Sequence, residues 1–306
     1  MEKKFDVIVL GGGPAGYTAA MYTARAGLST LVIEKLYAGG QMTQTPNIEN
    51  YPGFPQGIDG VLLGMNFQAG AQNAGVQTLN AEVTAVKLQG EEKVLTTAEG
   101  DYIGKTVIIA TGADHRHLGL EREWELTGKG VAYCATCDGM FYRGKIVAVV
   151  GGGNSAASEA LVLSRIAKKV YLIHRRDSLR ASKTYHEPLQ QAENVEFIWN
   201  SQVSGLLGNE KLSGVVLQNV QTGEERELEL DGLFVSIGRN PATEMFRGQL
   251  ELDEAGYIVA DESTRTSLPG VYAVGDVRTK TLRQVVTAVA DGAMAAHHAE
   301  EYLALP

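Results

Sequence analysis

Two strand–glycine loop–helix segments with identical spacing constrain the fold of this 306-residue chain more than any other feature. The first places a β-rich run before the glycine sequence 11–16, then an alanine-rich stretch and a second strand that ends in Glu34. The second repeats this order from residue 145 to His174, and in both copies the first glycine and the closing residue are 23 positions apart. This order is typical of the βαβ unit that binds dinucleotides. We therefore expect an α/β fold with two nucleotide-binding units.

The glycines of the first loop meet three separate demands of such a site. Gly11 permits the tight turn, Gly13 lets a pyrophosphate approach the backbone, and Gly16 lets the helix pack closely on the strand. The N–H groups at the start of the helix are then available to phosphates. Glu34 can accept hydrogen bonds from a ribose hydroxyl. In the second loop Ala156 replaces the third glycine, which the fingerprint tolerates.

The two copies differ in charge where the second strand ends. The first copy ends in Glu34, whereas the second continues with the basic residues His174, Arg175 and Arg176, followed by Arg180. A carboxylate would repel a 2′-phosphate, and arginines would hold it through charge-assisted, forked hydrogen bonds. The first unit is therefore expected to bind an adenosine with a free 2′-OH, and the second to bind NADP(H). A solvated basic patch is the simpler alternative for the arginines.

The only two cysteines, Cys134 and Cys137, lie just before the second unit and are followed by Asp138. Thiols at this spacing can close a tight disulfide, and a helix N-terminus or a nearby cation would lower one thiol pKa and make them a redox couple. A zinc site would need about four ligands, usually from two such pairs, and there is no second pair, although a distant histidine stays open. Two buried structural cysteines are the other alternative. The βαβ context favours the redox couple.

Composition argues against several other classes of protein. The net charge of −9 disfavours a nucleic-acid partner, because phosphate binding needs a basic surface. No run of about 18 apolar residues predicts a transmembrane helix. The apolar run that starts at residue 5 is short and ends at the glycine loop, so it indicates a first strand and not a signal peptide. These features suggest the cytoplasm, where a lone cysteine pair is more often catalytic than structural.

The remaining segments predict connecting helices and small sheets. Residues 61–75 predict a helix, and residues 76–99 and 197–234 alternate like antiparallel strands. The Gly- and Pro-rich segment 38–55 is long for a simple connection, so either a function or a surface excursion is expected. A further apolar strand ends at Asp276, and strand ends of doubly wound folds face the ligand.

Together these motifs resemble the low-molecular-weight thioredoxin reductases of bacteria over essentially the whole chain. The motifs are G-G-G-P-A-G at 11–16, G-G-Q at 39–41, N-Y-P-G at 50–53, A-T-G-A at 110–113, C-A-T-C-D at 134–138, G-G-G-N-S-A at 151–156, H-R-R at 174–176 with Arg180, and G-D at 275–276 followed by R-Q at 283–284. The resemblance implies two Rossmann-like, three-layer ββα nucleotide-binding domains, the second inserted in the first. The FAD-binding domain would comprise residues 1–116 and 244–306, and the NADPH-binding domain residues 117–243 with the cysteines. The sequence His115-Arg116-His117 departs from the pattern, and no role is assigned to its histidines.

The resemblance also implies the residues of the site. The residues expected to bind FAD are Gly11, Gly13, Pro14, Ala15, Gly16, Glu34, Lys35, Gly40, Gln41, Asn50, Thr111, Gly112, Asp276, Arg283, Gln284 and Val285. The residues expected to bind NADPH are Gly153, Asn154, Ser155, Ala156, His174, Arg175, Arg176 and Arg180. Cys137 would face the flavin, Cys134 would attack the disulfide of thioredoxin or a thioredoxin-like partner, and Asp138 would be the acid/base. A homodimer is implied, and no metal.

The implied reaction is the NADPH-dependent reduction of a thioredoxin disulfide through FAD and the cysteine pair. The nicotinamide and the disulfide would take turns at the flavin as the domains rotate about hinges near Ala113–Leu118 and Arg239–Met245. Three alternatives remain: an FAD-dependent dithiol oxidase that acts on a small molecule with oxygen as acceptor, a reductase fed by ferredoxin, and a flavin- or nucleotide-binding sensor without turnover. The intact arginine set argues against the first two, because neither needs NADPH.

Overall fold

The computed structural model describes residues 3–45 and 47–304, and the chain divides into two compact units. One unit comprises Met1–Asp114 and Asn240–Pro306, and the other comprises His115–Arg239. The second unit is thus an insertion in the sequence of the first.

The strands and the helices of the described residues are each numbered in chain order. The strands are β1 (Lys4–Leu10), β2 (Thr30–Glu34), β3 (Gln77–Asn80), β4 (Val83–Lys87), β5 (Lys93–Thr97), β6 (Gly100–Ile109), β7 (Ala113–His115), β8 (Val131–Ala132), β9 (Ile146–Val150), β10 (Lys169–Ile173), β11 (Val195–Ile198), β12 (Ser201–Leu207), β13 (Gly214–Asn219), β14 (Glu225–Glu229), β15 (Gly232–Val235), β16 (Arg239–Pro241) and β17 (Val271–Ala273). The α-helices are α1 (Pro14–Arg25), α2 (Gly60–Asn73), α3 (Glu123–Leu126), α4 (Ala135–Asp138), α5 (Asn154–Ser164), α6 (His186–Gln191) and α7 (Val285–Ala304). Short 3₁₀ helices cover Gly40–Gln44, Gly139–Tyr142, Lys183–Tyr185, Glu244–Phe246 and Gly275–Val277. Every helix in the described part of the chain is too short or too polar to cross a membrane.

The first unit is built on a parallel sheet in the order β3-β2-β1-β6-β17. β1 pairs with one edge of β6, and the other edge is long enough for two partners: residues 100–104 pair with antiparallel β5, and residues 107–109 pair with β17. Because side chains alternate along a strand, Val9 packs with Ala19 of α1 on one face, and Ile8 packs with Leu95 of β5 on the other. The unit therefore has three layers, which are helices, parallel sheet and antiparallel strands.

The second unit repeats these layers. Its parallel sheet has the order β11-β10-β9-β15-β8. Val149 of β9 packs with Ala157 of α5, whereas its neighbour Val150 packs with Leu217 of the antiparallel sheet β12-β13-β14. The predicted fold class, two Rossmann-like three-layer units with one inserted in the other, is confirmed.

Two predictions about the small strands are wrong in part. β3 is parallel to β2, not antiparallel, because the chain returns to the sheet through α2, and such a crossover gives a parallel pair. β15 belongs to the parallel sheet and not to the predicted meander. All four of its residues are buried, as is typical of a central parallel strand.

Candidate active site

The first glycine loop forms an open turn between β1 and α1. Gly11 has a φ of +108°, and a Cβ there would lie 2.4 Å from the carbonyl oxygen of Ala110. A Cβ at Gly16 would lie 1.9 Å from the carbonyl oxygen of Gly11, so only glycine fits either position. Gly13 precedes α1, faces open space and has no side chain that caps the helix. The first turn of α1, where Pro14 and Ala15 lie, therefore fits a pyrophosphate.

The second glycine loop has the same geometry. Gly151 has a φ of +151°, and a Cβ there would lie 2.2 Å from the carbonyl oxygen of Ser236. Gly153 precedes α5, again with open space beside it and no side-chain cap. Asn154 accepts a backbone hydrogen bond from Ser182 at 2.7 Å and so ties the helix start to a neighbouring loop. The next two predicted residues, Ser155 and Ala156, are exposed and buried respectively.

The basic end of β10 presents a buried ring beside three exposed arginines. His174 is 6% exposed, and its Nε2 has no hydrogen-bond partner among the described residues. Burial lowers the pKa of His174, and the positive charges of the three arginines lower it further. Arg175, Arg176 and Arg180 are exposed, and none is paired with a carboxylate in the described ranges. A ring nitrogen without a hydrogen-bond partner and three guanidinium groups without a carboxylate partner among the described residues can bind a phosphate group of a nucleotide.

Glu34 is held against the first glycine loop. Its Oε2 accepts the N–H of Gly12, and its Oε1 accepts the N–H of Leu36 at 3.0 Å. The carboxylate is therefore oriented by the turn that it supports. The next predicted residue, Lys35, is engaged in an exposed ion pair with Glu82 at 2.7 Å.

Predicted residues that are far apart in the sequence meet in the first unit. Gln41 donates hydrogen bonds to the carbonyl of Ala113 and, at 3.0 Å, to Asp114. Asn50 donates to the side-chain oxygen of Gln284 at 3.0 Å, although the two residues are 234 positions apart in the sequence. The structure thus joins the Gly- and Pro-rich segment to the end of the first chain segment of the unit, at Ala113 and Asp114, and to Gln284 in the second chain segment.

Gly40, Thr111 and Gly112 lie in the same region. A Cβ at Gly40 would lie 3.5 Å from the Cα of Gly13, so this segment borders the glycine loop closely. The Thr111 hydroxyl donates to the carbonyl of Ala242 at 2.8 Å, and the Ala242 amide donates to the carbonyl of Gly112 at 3.0 Å.

A buried ion cluster fixes the turn that carries Gly275 and Asp276. Asp291 of α7 accepts hydrogen bonds from the Gly275 N–H at 2.8 Å, from Lys280 at 2.7 Å and twice from Arg278 at 2.9 Å. The side chain of Arg278 is completely buried, and those of Asp291 and Lys280 are 5% exposed. Burial raises the pKa of Asp291, but the hydrogen bonds from Arg278 and Lys280 outweigh this and keep it below the ordinary value.

The last predicted residues of the first unit, Arg283 and Val285, follow this turn in the chain. Arg283 lies over the ring of Tyr257, 4.1 Å from its centroid, and donates to the carbonyl of Arg278 at 3.1 Å. Val285 begins α7 and packs against the apolar cluster that contains Met42. These contacts hold the turn and the start of α7 in one arrangement.

Replacing Asp291 with asparagine is expected to destabilise the first unit by about 3–5 kcal/mol, because Lys280 loses its buried carboxylate and Arg278 keeps only the exposed Glu262 at 3.3 Å. Denaturant unfolding of the variant and the parent protein measures this difference. Glu301→Gln is the matched control, since Glu301 lies on the same helix in an exposed ion pair worth about 1 kcal/mol or less. Equal stability of the Asp291 variant and the control would contradict the importance of the cluster.

The two cysteines are joined in a disulfide at the start of α4. Cys134 precedes the first residue of α4, and the two sulfurs are 2.14 Å apart. Cys134 Sγ also accepts the N–H of Cys137 at 3.1 Å. No three His, Cys, Asp or Glu side chains are placed to hold a metal in the ranges that the structure covers. The arrangement is that of a redox disulfide on one short helical turn.

Two carboxyl groups near this disulfide have raised pKa values. Burial raises the pKa of Asp138, the last residue of α4, to about 6. Burial also raises the pKa of Glu159 on α5 to about 7, against the lowering effect of hydrogen bonds from Ser236 and the Ala135 N–H. Acids with such pKa values can hold or release a proton near neutral pH.

Sequence reasoning missed three acids, which are the buried Glu123 and Asp291 and the partly buried Glu159. Glu159 lies three residues after Ala156 and four before Leu163, both of which are fully buried. Asp291 has the same spacing to buried alanines of α7. An acid at these positions faces the same side of the helix as its apolar neighbours, and that was the signal in the sequence.

The two histidines without an assigned role both contact Tyr133 in the second unit, His117 by a hydrogen bond and His115 through its ring, whose centroid is 5.0 Å from that of Tyr133. His117 Nδ1 lies 2.7 Å from the Tyr133 hydroxyl, which donates to Glu123 at 2.8 Å. Glu123 also accepts three backbone N–H groups of residues 118–120. Burial lowers the pKa of His115 to about 3, so its ring is neutral at physiological pH. Because Tyr133 precedes Cys134, these contacts anchor the chain on one side of the disulfide.

Comparisons with known proteins agree with this geometry. The family model described as pyridine nucleotide-disulphide oxidoreductase matches residues 5–292. A thioredoxin reductase of Streptomyces clavuligerus is 49% identical over 302 residues, which are 98% of this chain and 94% of that protein. A thioredoxin reductase of Listeria monocytogenes is 45% identical over 303 residues, which are 99% of this chain and 95% of that protein. The crystal structure of a thioredoxin reductase from Streptococcus pyogenes has a TM-score of 0.92, 43% identity and 99% coverage of both chains. The predicted resemblance is confirmed, and the chain belongs to the pyridine nucleotide-disulphide oxidoreductase family.

Proposed function

We propose that the protein is an NADPH-dependent, FAD-containing enzyme that reduces the disulfide of thioredoxin or a thioredoxin-like protein through Cys134 and Cys137. The observation that carries this proposal is the Cys134–Cys137 disulfide, which lies in the second unit directly before its strand–glycine loop–helix segment. The relatives that match nearly the whole chain are named thioredoxin reductase. Membership of the family implies a flavin and a nicotinamide nucleotide.

We assign FAD to the first unit. The open turn at Gly13 and the start of α1 would hold the pyrophosphate, and Glu34 would accept a hydrogen bond from a ribose hydroxyl. Asp276 follows Gly275, where an added Cβ would lie 3.1 Å from Ala15 Cβ, so its turn borders the same helix start. These contacts support the assignment of both segments to one cofactor.

We assign NADPH to the second unit. The uncapped start of α5 after Gly153 would receive the pyrophosphate. The three exposed arginines and the unpartnered Nε2 of His174 would hold the 2′-phosphate and the ribose beside it. Charge at this end of β10 is therefore the basis of the expected preference for NADPH over NADH.

Cys134, Cys137 and Asp138 would carry out the thiol–disulfide exchange and the proton transfer that goes with it. FAD held at Gly13, the start of α1 and Glu34 would supply the electron pair that reduces the disulfide, and NADPH held beside Arg175 and Arg176 would be the source of that pair as a hydride. The S–S bond then breaks, and Asp138 gives a proton to a cysteine thiolate. Cys134 Sγ attacks the partner's disulfide to form a mixed disulfide, and Cys137 Sγ attacks Cys134 Sγ to release the reduced partner.

Steady-state assays separate this proposal from a dithiol oxidase of the same fold. The proposal expects NADPH oxidation that depends on oxidised thioredoxin and little oxygen uptake with small dithiols. Dithiol-dependent oxygen uptake without NADPH consumption would instead support the oxidase. The exposed residues Arg175, Arg176 and Arg180 favour the reductase, because an oxidase has no need of a site for a 2′-phosphate.

We also propose, from the resemblance alone, a homodimer in the cytoplasm with hinges near Ala113–Leu118 and Arg239–Met245. Light scattering on the purified protein tests the dimer. A monomer at micromolar concentration would contradict it.

A further inference from the structure

The first unit holds two buried cations and a buried carboxylate that the proposed cofactor assignment does not use. The side chain of Arg278 is completely buried, and those of Lys280 and Asp291 are each 5% exposed. Burying charges is costly, and a buried ion pair can often be replaced by hydrophobic residues of similar size without loss of stability. Fold stability alone therefore does not explain why charged groups occupy this position.

Three donors from one short stretch of chain, residues 275–280, meet the Asp291 carboxylate. The Gly275 N–H donates to Oδ2 at 2.8 Å, and Lys280 donates to the same oxygen at 2.7 Å. Arg278 donates to both oxygens at 2.9 Å. Hydrogen bonds to an ionised carboxylate are stronger than those between neutral groups. Because Asp291 lies on the 20-residue helix α7, these bonds tie the stretch firmly to that helix.

The hydrogen bond at Gly275 acts on the residue that follows it. Gly275 has a φ of +71°, which favours glycine, and it begins the 3₁₀ helix Gly275–Val277 that contains Asp276. Its N–H is directed at Asp291, and this fixes the direction in which the chain enters the turn. Asp291 thereby orients the backbone of Asp276, which is one of the residues that we assign to FAD.

The same part of α7 fixes where this turn lies relative to α1. Gly292 follows Asp291, and a Cβ there would lie 2.3 Å from the Ala15 carbonyl oxygen and 2.9 Å from the Ala19 nitrogen. A Cβ at Gly275 would lie 3.1 Å from the Ala15 Cβ. The turn and α7 therefore both pack on the first turn of α1, where we place the pyrophosphate. Asp291 links two segments of one proposed cofactor site.

We propose that Asp291 is a positioning residue for FAD, which holds the Gly275–Val277 turn against the start of α1 before the cofactor binds. It acts through the Gly275 N–H and through the contact between α7 and α1, and not by a bond to the cofactor. A site that is already ordered loses less conformational freedom on binding, so this arrangement strengthens the binding of FAD. This inference rests on the proposed assignment of FAD to the first unit.

The dissociation constant of FAD from the folded apoprotein tests this role through Asp291→Asn. FAD is titrated into the flavin-free protein, and the change in flavin fluorescence is recorded. The variant should bind FAD roughly ten- to a hundredfold more weakly, which is the range expected for the loss of a charge-assisted hydrogen bond. Far-UV circular dichroism gives the folded fraction of each apoprotein, so that weaker binding is not confused with unfolding. A dissociation constant equal to that of the parent protein would overturn the proposal.

Glu301→Gln is the matched control for the titration. Glu301 lies on the same helix as Asp291, in an exposed ion pair with Arg265. Its substitution should leave the dissociation constant of FAD at the parent value. A loss of affinity in the control as large as that in Asp291→Asn would show that the effect does not arise from the bond at Gly275.

A variant with an apolar cluster separates positioning from stability. Arg278→Met, Lys280→Met and Asp291→Leu together leave no buried charge in the cluster, so this variant should be more stable than Asp291→Asn. It still lacks an acceptor for the Gly275 N–H, so its binding of FAD should remain roughly ten- to a hundredfold weaker than that of the parent protein. Recovery of the parent affinity together with stability would show that Asp291 serves the fold alone.

Hydrogen–deuterium exchange of the parent protein gives a second readout that needs no variant. The Gly275 amide, followed in peptides that cover residues 271–282, should be protected in the apoprotein as well as with FAD bound. An amide that becomes protected only when FAD binds would overturn the proposal. A parent protein that binds no FAD would contradict the proposed function itself, whereas a parent that binds FAD and an Asp291 variant that binds it equally well would contradict only this inference.

Discussion

Replacing Cys137 with serine is expected to abolish the reduction of thioredoxin while the reduction of the bound flavin by NADPH survives. Cys137 forms the disulfide with Cys134, and a serine hydroxyl can neither form nor break that bond. The loss should be on the order of a thousandfold or more, as for other removed nucleophiles. NADPH oxidation with oxidised thioredoxin measures the first reaction, and anaerobic flavin absorbance measures the second.

Cys134→Ser should give the same loss, since each sulfur has its own step in the exchange. Thr136→Ser is the matched control, because it alters the same helical turn and keeps both thiols. A single serine variant that still turned over thioredoxin at the parent rate would contradict the proposed route. So would a variant that lost flavin reduction together with disulfide reduction while it remained folded and flavin-bound.

Replacing Arg175 and Arg176 together with alanine is expected to raise the KM for NADPH by at least about a hundredfold and to leave the KM for NADH nearly unchanged. Each guanidinium group would give the 2′-phosphate a charge-assisted hydrogen bond worth roughly 1.5–3 kcal/mol, and NADH has no such phosphate. The measurement is kcat and KM with both nucleotides at fixed ionic strength, because salt screens exposed charges.

Arg165→Ala is the control for this double variant, since Arg165 is an exposed arginine of the same unit that lies just past α5. Its KM values should match those of the parent protein. Equal losses with NADPH and NADH in the double variant would remove the basis for a 2′-phosphate site at the end of β10.

The repeated glycine loops were predictable because each is locally determined. Gly11 and Gly151 both have positive φ values, and an added Cβ would meet the carbonyl of the residue that directly follows the neighbouring parallel strand, Ala110 after β6 and Ser236 after β15. A sequence that repeats this constraint at the same spacing can hardly adopt another local fold. The start and end of α1 follow for the same reason, since Pro14 opens the helix and Gly27 with a φ of +82° follows its end.

What could not be predicted depends on contacts between distant parts of the chain. No local sequence pattern predicts the hydrogen bond between Asn50 and Gln284. The same is true of the ion pairs that Arg278 and Lys280 form with Asp291. The direction of β3 depended on treating α2 as a crossover helix, which strand alternation alone does not reveal.

Asp138 and Glu159 show the same difference between what the sequence reveals and what only the fold reveals. The sequence places Asp138 next to Cys137, but the burial that raises its pKa to about 6 arises from packing in the second unit. Glu159 was predictable only as an acid on an apolar helix face, and its proximity to Ala135 was not. Sequence motifs thus indicated which groups react, whereas the protonation state of these groups required the fold.

The visible absorption spectrum of the purified protein under argon tests the central claim most directly. We predict a yellow protein whose flavin bands bleach when NADPH is added and return when oxidised thioredoxin follows. A colourless protein that binds no flavin after reconstitution would contradict the account, as would a bleached flavin that oxidised thioredoxin does not reoxidise.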